Sequence, residues 1–339
     1  MTTFNRATRR RFVQGTTAAA ISPFFIGRAR ADEPEFVMNV ATVAPPGTPW
    51  AQQLNKLKKD IKKKSEGRIK VKTFLGGAKG AEIESVEDVK RGSMQVYGGS
   101  AGALSSAVPE IGVLELPYLF KDIETADKVL DDVIREDLDA LLEKRGFKLM
   151  FFTENGYRSI GSTFPISSPA DLKGKKMRSQ ESDIHLDTWR AMGASPVPIA
   201  VTEVSSALQT GVVDGFDNTP LFSFAASWHQ AISHFTLTNH IYQPGIVVIS
   251  KKWYDSLPAD LQTLVLGDYE SLSKKGRRGV RAIAPMLVEN FVNAGIEVKK
   301  LSSSERSAFA AKAGEVQDKW RKGASAEGKA LLDKIKAAT

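Results

Sequence analysis

The chain has no cysteine in 339 residues. That absence removes disulfides, thiolate zinc sites, iron–sulfur clusters and cysteine nucleophiles together. Histidine is nearly as scarce, with four copies, and none stands at a metal-binding interval such as H-E-x-x-H. No apolar run reaches the ~20 residues that a membrane-spanning helix needs. There is no internal repeat and no low-complexity linker. Nucleotide-cradling patterns are missing too. Gly76-Gly77-Ala78-Lys79-Gly80 fits neither G-x-G-x-x-G nor G-x-x-x-x-G-K-[ST] and reads as a flexible turn.

Acidic side chains are absent from one stretch. Residues 1–31 hold six arginines, Arg6, Arg9, Arg10, Arg11, Arg28 and Arg30, and no acid. Setting those six aside lowers the formal net charge from +8 to +2. A nucleic-acid reading of the high isoelectric point therefore fails, and no nucleic-acid partner is expected. The same stretch has a basic start, a modestly apolar run from Phe12 to Ile26, and Ala29-Arg30-Ala31 before Asp32. This is the layout of an export signal cleaved after Ala31. Thr8-Arg9-Arg10-Arg11-Phe12-Val13-Gln14 resembles the twin-arginine motif, with an ordinary secretory signal as the alternative. The expectation is a periplasmic mature chain.

What remains alternates strand and helix, which predicts an α/β fold with a largely parallel sheet. Strands are expected at Phe36–Val43, Ile69–Leu75, Met94–Tyr97, Phe147–Thr153 and Tyr157–Thr163. Helices are expected at 51–64, 82–91 and 122–145. A second α/β unit follows, with strands at 175–178, 195–198 and 212–216 and helices at 183–192 and 203–210. Residues 241–250 form a β-rich run. Residues 258–294 predict one helix of more than thirty residues, and 303–338 two polar helices. Two lobes with a cleft between them fit this order, and ligand sites favour such clefts.

Two groups of residues carry candidate chemistry. Gly98-Gly99-Ser100-Ala101-Gly102 matches the nucleophile elbow G-x-S-x-G and admits a periplasmic serine hydrolase built on Ser100. Too few strands precede it, and no HGGG-like oxyanion segment is present, so a tight glycine turn exposing backbone N–H groups at a cleft is preferred. In the second unit, Arg178 ends a short apolar strand, where sheet ends meet clefts. Its planar fork of donors matches a carboxylate bidentately. Arg158 sits at the expected lobe boundary and Asn218 just after a strand. On spacing alone each could equally be a surface or capping residue. Phe216, Phe222, Phe224 and Trp228 suit packing of the second unit better than an aromatic ligand pocket.

Three segments taken in order resemble a known family: Leu172–Gln180, Ala191–Pro198 and Glu203–Gly215. With Glu110–Phe120 they resemble the solute-binding proteins of tripartite ATP-independent periplasmic (TRAP) transporters, DctP type, from about Phe36 to Ala294. The resemblance implies a two-lobed periplasmic binding-protein fold with an interdomain cleft and a long helix spanning both lobes. Lobe I would be 32–155 plus about 244–283, and lobe II 156–243 plus about 284–339. It implies that Arg178 pairs with a substrate carboxylate, that Arg158 assists, and that Asn218 positions the substrate or an arginine. Phe216-Asp217-Asn218-Thr219-Pro220 departs from the family's Q-E-N-P by one residue, which puts that loop's shape in question. The implied function is non-enzymatic capture of a small organic carboxylate, a C4-dicarboxylate or related acid, for a membrane permease. No cofactor or metal is implied, and a monomer is expected.

Overall fold

The computed structural model describes residues 33–339, so the twin-arginine segment and the cleavage motif lie outside the described residues. Nine strands form one mixed sheet: β1 Phe36–Ala41, β2 Ile69–Phe74, β3 Val96–Ser100, β4 Phe147–Ser162, β5 Lys176–Ser179, β6 Ser195–Pro198, β7 Gly215–Asn218, β8 His234–Ser250 and β9 Glu297–Lys300. The order is β2-β1-β3-β8-β4-β7-β5-β6, with β9 also paired to β8. Two parallel trios, β2-β1-β3 and β7-β5-β6, flank the antiparallel pair β8–β4. The sheet is therefore mixed rather than largely parallel.

Its antiparallel centre also explains two revised boundaries. Phe147–Thr153 and Tyr157–Thr163 were expected as separate strands, yet β4 runs through both. Glu154-Asn155-Gly156 is an irregularity in the ladder opposite Pro244 and Gln243. Polar and glycine residues there bend a strand without ending it. In β8, Ile246 and Val248 pack into one core while Val247 and Ile249 pack into another. A strand covered on both faces has no polar alternation to display, which is why Ile246-Val247-Val248-Ile249 reads as a continuous apolar run.

The helices are α1 Pro49–Lys64, α2 Glu82–Arg91, α3 Ala101–Leu104, α4 Ile123–Lys128, α5 Arg135–Lys144, α6 Asp183–Ala191, α7 Val204–Gln209, α8 Pro220–Ala225, α9 Lys251–Asp255, α10 Ala259–Val265, α11 Glu270–Asn293, α12 Ser303–Gly323 and α13 Ala326–Ala338. Two expected single helices are broken. A π-turn at Val129–Val133 separates α4 from α5. It accompanies a clamp in which the half-exposed Asp127 and Asp131 both bind the buried Arg277 of α11, at 2.8 and 2.7 Å. The 258–294 helix stops at Leu266, and the Asp268 carboxylate accepts the Glu270 N–H at 2.8 Å to start α11. An N-terminal carboxylate acceptor is a strong helix-start signal. α11 then continues through Pro285 and packs on β4, α1, α8 and β9, so it touches both halves of the sheet. Among the described residues no helix is long and apolar enough to cross a membrane.

Candidate ligand-binding site

A pocket opens at the carboxyl ends of β1, β3, β5 and β7, where parallel strands leave backbone and side chains free to meet a ligand. Its walls are closely set: the non-protein space among them, counted together with the solvent open to it, is about 520 Å³. The first half of the sheet contributes Thr42, Trp50, Glu82 and Ser100; the second contributes Arg158, Arg178, Asn218 and Phe222. Asn155 and Gln243 come from the two crossing strands. Trp50 reaches the wall because Gly245 faces it: a Cβ at Gly245 would overlap the indole. The indole N–H donates to the Glu154 carbonyl at 3.0 Å.

The structure brings Arg178, Arg158 and Asn218 together here, in different states. Arg178 is 2% exposed. Its Nε donates to the Ile199 carbonyl at 2.9 Å, and its guanidinium lies 5.4 Å from the Trp228 ring centroid. Both contacts fix the fork's orientation. The two terminal nitrogens have no protein acceptor among the described residues. Burial, and then the nearby Arg158, pull the Arg178 pKa down to about 10. The group stays charged at neutral pH, but its charge is under-compensated.

Arg158, by contrast, is already committed. Its Nε donates to Asp217 Oδ2 at 2.5 Å, one terminal nitrogen to the Asp217 carbonyl at 2.6 Å, and the other to Gln243 Oε1 at 3.0 Å and Gln180 Oε1 at 3.3 Å. Asn218 Oδ1 accepts the Thr219 N–H at 2.8 Å and lies 3.5 Å from Arg158. The displaced proline has a local reason. Thr219 caps α8 through its hydroxyl and Pro220 takes the first helical position, where a missing N–H costs nothing. The aromatic cluster packs, with Phe216 and Phe222 edge-on to Trp228. Only Phe222 also lines the pocket.

Beneath the pocket lies a polar network that sequence spacing did not assemble. His185 Nε2 meets Glu115 Oε2 at 2.5 Å and His185 Nδ1 lies 3.7 Å from Asp217 Oδ2. His240 Nε2 is 3.3 Å from the same Asp217 oxygen. Burial and Arg158 oppose charge on His185, but Asp217 and Glu115 outweigh them and hold its pKa above the ordinary value. Against burial, His185 and Arg158 hold Glu115 below the carboxylate range. Arg158 and both histidines hold Asp217 well below it. Burial depresses His240.

These directions set a pH dependence. The raised His185 pKa contributes stability that is complete below about 6.5 and is lost as pH rises through the folded value. The lowered Glu115 and Asp217 values contribute stability present above the ordinary carboxylate range and lost as pH falls through theirs, and the depressed His240 contributes stability that fades as pH falls below about 6.5. Glu115→Gln is expected to flatten the decline in Tm as pH rises above about 6.5. Parallel Tm profiles for the variant and wild type would contradict this assignment of His185.

Ser100 does not have a nucleophile's surroundings. Its hydroxyl accepts from Gln180 Nε2 at 2.8 Å and caps α3 through Ala103 N–H at 3.1 Å. Among the described residues no histidine is hydrogen-bonded to it. The glycine turn also differs from expectation. The Ser100 N–H donates to Glu82 Oε1 at 2.9 Å and the Gly102 N–H to Glu115 Oε1 at 2.7 Å, so these donors are occupied by the protein's own carboxylates.

Comparisons with known proteins agree with this architecture. The model of bacterial extracellular solute-binding protein family 7 (DctP) matches residues 40–323. A solute-binding protein of Verminephrobacter eiseniae is 34% identical, covering 83% of this chain and 82% of its own. The C4-dicarboxylate-binding periplasmic protein DctP of Rhodobacter capsulatus is 32% identical, covering 67% and 68%. The crystal structure of the sugar acid binding protein DctPAm of Advenella mimigardefordensis, in complex with galactonate, superposes with a TM-score of 0.84 at 26% identity, covering 89% of this chain and 98% of that one. The chain belongs to bacterial extracellular solute-binding protein family 7 and has the two-lobed fold of TRAP solute-binding proteins. These findings favour solute binding over the Ser100 hydrolase.

Proposed function

We propose that this family 7 member captures a small organic carboxylate in the periplasm, reversibly and without turnover, and delivers it to the permease subunits of a TRAP transporter. One observation carries the reading: the buried Arg178 holds two terminal nitrogens at the pocket with no protein partner. A carboxylate supplies two acceptors in the geometry that fork requires, and a charge-assisted pair in a water-poor cleft is stronger than one in solvent. Arg158 and Asn218 line the same wall. Arg158 stiffens the site through Asp217, and Asn218 offers an amide to the ligand.

In this reading lobe I comprises 32–155 and about 244–283, and lobe II 156–243 and about 284–339, with α13 packed back against residues of the first. Export by the arginine-bearing leader with cleavage after Ala31, and action as a monomer, complete the proposal. One free fork suits one carboxylate better than two, since Arg158's donors are occupied.

The test is thermal melting of residues 32–339 with D-galactonate, D-glucuronate, succinate and the uncharged polyol galactitol. A ligand held only by the folded state adds about 2.7 kcal/mol of stability at one hundred times its Kd and so raises Tm. At least one acid should raise Tm while galactitol does not. Equal stabilisation by galactitol would remove the carboxylate from the recognition.

A further inference from the structure

The pocket wall facing Arg178 from the first half of the sheet contains a carboxylate, which is an odd neighbour for an anion. Glu82 stands at the start of α2 and lines the pocket with Arg178. Its Oε1 accepts the Ser100 N–H and the Tyr97 hydroxyl, each at 2.9 Å. Tyr97 is fully buried, and a Cβ at Gly99 would overlap both the Tyr97 hydroxyl and Glu82 Oε1. Backbone, tyrosine and glycine thus hold one oxygen of Glu82 in a set place. The other, Oε2, has no partner among the described residues. A narrow crevice continues from the pocket past Glu82 and Arg178 toward Glu181 and Val201.

We infer that Glu82 is a specificity-determining residue that accepts a hydroxyl of the ligand and so selects hydroxylated acids over dicarboxylates. The inference rests on the reading that Arg178 takes the ligand's carboxylate. A fixed carboxylate needs a donor, and a sugar acid supplies hydroxyls along its chain. A second carboxylate in the same place would meet like charge in a water-poor cleft, which is unfavourable. Asn155 adds an amide that can accept from or donate to a further hydroxyl. The G-x-S-x-G turn acquires a purpose in this arrangement, because it builds the seat of Glu82.

The experiment measures Kd by calorimetry for D-galactonate, hexanoate and succinate with wild type, Glu82→Gln and Arg178→Ala. Glu82→Gln keeps the shape and one acceptor oxygen, and its melting transition reports whether it is folded. The wild type should prefer galactonate. Glu82→Gln should weaken galactonate about tenfold, leave hexanoate unchanged, and tighten succinate several-fold as the like charge disappears. A merely structural role would weaken all three together, and that result overturns the inference, as does a flat profile or a wild type that prefers succinate. Arg178→Ala separates the two levels. If it retains galactonate binding, the carboxylate reading fails and takes Glu82's role with it. If it loses binding while Glu82→Gln shows no change of preference, only the role of Glu82 fails.

Discussion

Replacing Arg178 with methionine is expected to weaken acid binding by about 3–5 kcal/mol, on the order of 10²–10³-fold or more in Kd. The magnitude follows from the site's asymmetry. Truncating one partner of a buried, hydrogen-bonded charge pair leaves the ligand's carboxylate dehydrated and unpaired, and this accounts for most of the loss. Arg178→Lys keeps the charge but presents a single ammonium in place of a fork braced by Ile199 and Trp228. It should recover only part of the affinity. The stability of the ligand-free protein should move the other way. Arg178 is buried beside Arg158 with its fork unsatisfied, so an apolar side chain of similar length removes an uncompensated charge. The expected signature is lost binding with an unliganded Tm equal to or above wild type. A variant that loses both binding and several degrees of Tm would place Arg178 in the protein's framework instead of its ligand site.

Legibility from sequence followed the range of the forces involved. Local elements were visible: α1 and α2 fell near the expected 51–64 and 82–91, because a helical run with an apolar face can be counted along the chain. The second unit, β5 to α7, fell close to its expected boundaries because each element turns on local signals. The mixed sheet was not visible, because β4 and β8 pair residues about 70 to 100 positions apart and no local pattern records a partner's direction. Nor did the sequence reveal that Glu154-Asn155-Gly156 bends a strand, since turns and bulges use the same residues.

The site divided in a similar way. Arg178, Arg158 and Asn218 were found through resemblance to a family; spacing alone would have left them as surface or capping residues. Glu82, Gln180 and Gln243 were missed. Glu82 looked like an ordinary acidic residue in a helix's first turn, where such residues favour the helix dipole. The network of Glu115, His185, Asp217 and His240 was missed because its members lie on four distant segments. Its one local signal was weak: acidic and imidazole groups placed within otherwise apolar stretches, where they need partners.

That network is where the largest loss of stability is expected. Asp217 is 1% exposed and serves Arg158, His185 and His240 at once. Asp217→Ala strands the equally buried Arg158 without its counter-charge and removes a carboxylate that lies 3.7 and 3.3 Å from the His185 and His240 imidazoles. Breaking a buried pair in this way costs about 3–5 kcal/mol, which for a chain of this size lowers Tm by roughly 10 °C. By contrast, Asp333→Ala breaks the solvent-exposed bridge to Arg321 and should leave Tm unchanged within error, because water and salt already screen that pair. The double variant Arg158→Met/Asp217→Leu adds a sharper condition. If the cost of Asp217→Ala is mainly the stranded arginine, removing both charges should restore much of the lost Tm. Recovery should stay incomplete, because His185 was held protonated partly by Asp217 and would rely on Glu115 alone. In Asp217→Ala, where Arg158 still opposes the His185 proton, Tm should therefore decline less than in wild type as pH rises above about 6.5, because a His185 pKa closer to its ordinary value leaves less stability to lose. Full recovery in the double variant, with an unchanged pH profile in Asp217→Ala, would mean that Asp217 and His185 act independently. A double variant no more stable than Asp217→Ala would mean that the geometry of the network, rather than its charge balance, holds this end of the sheet.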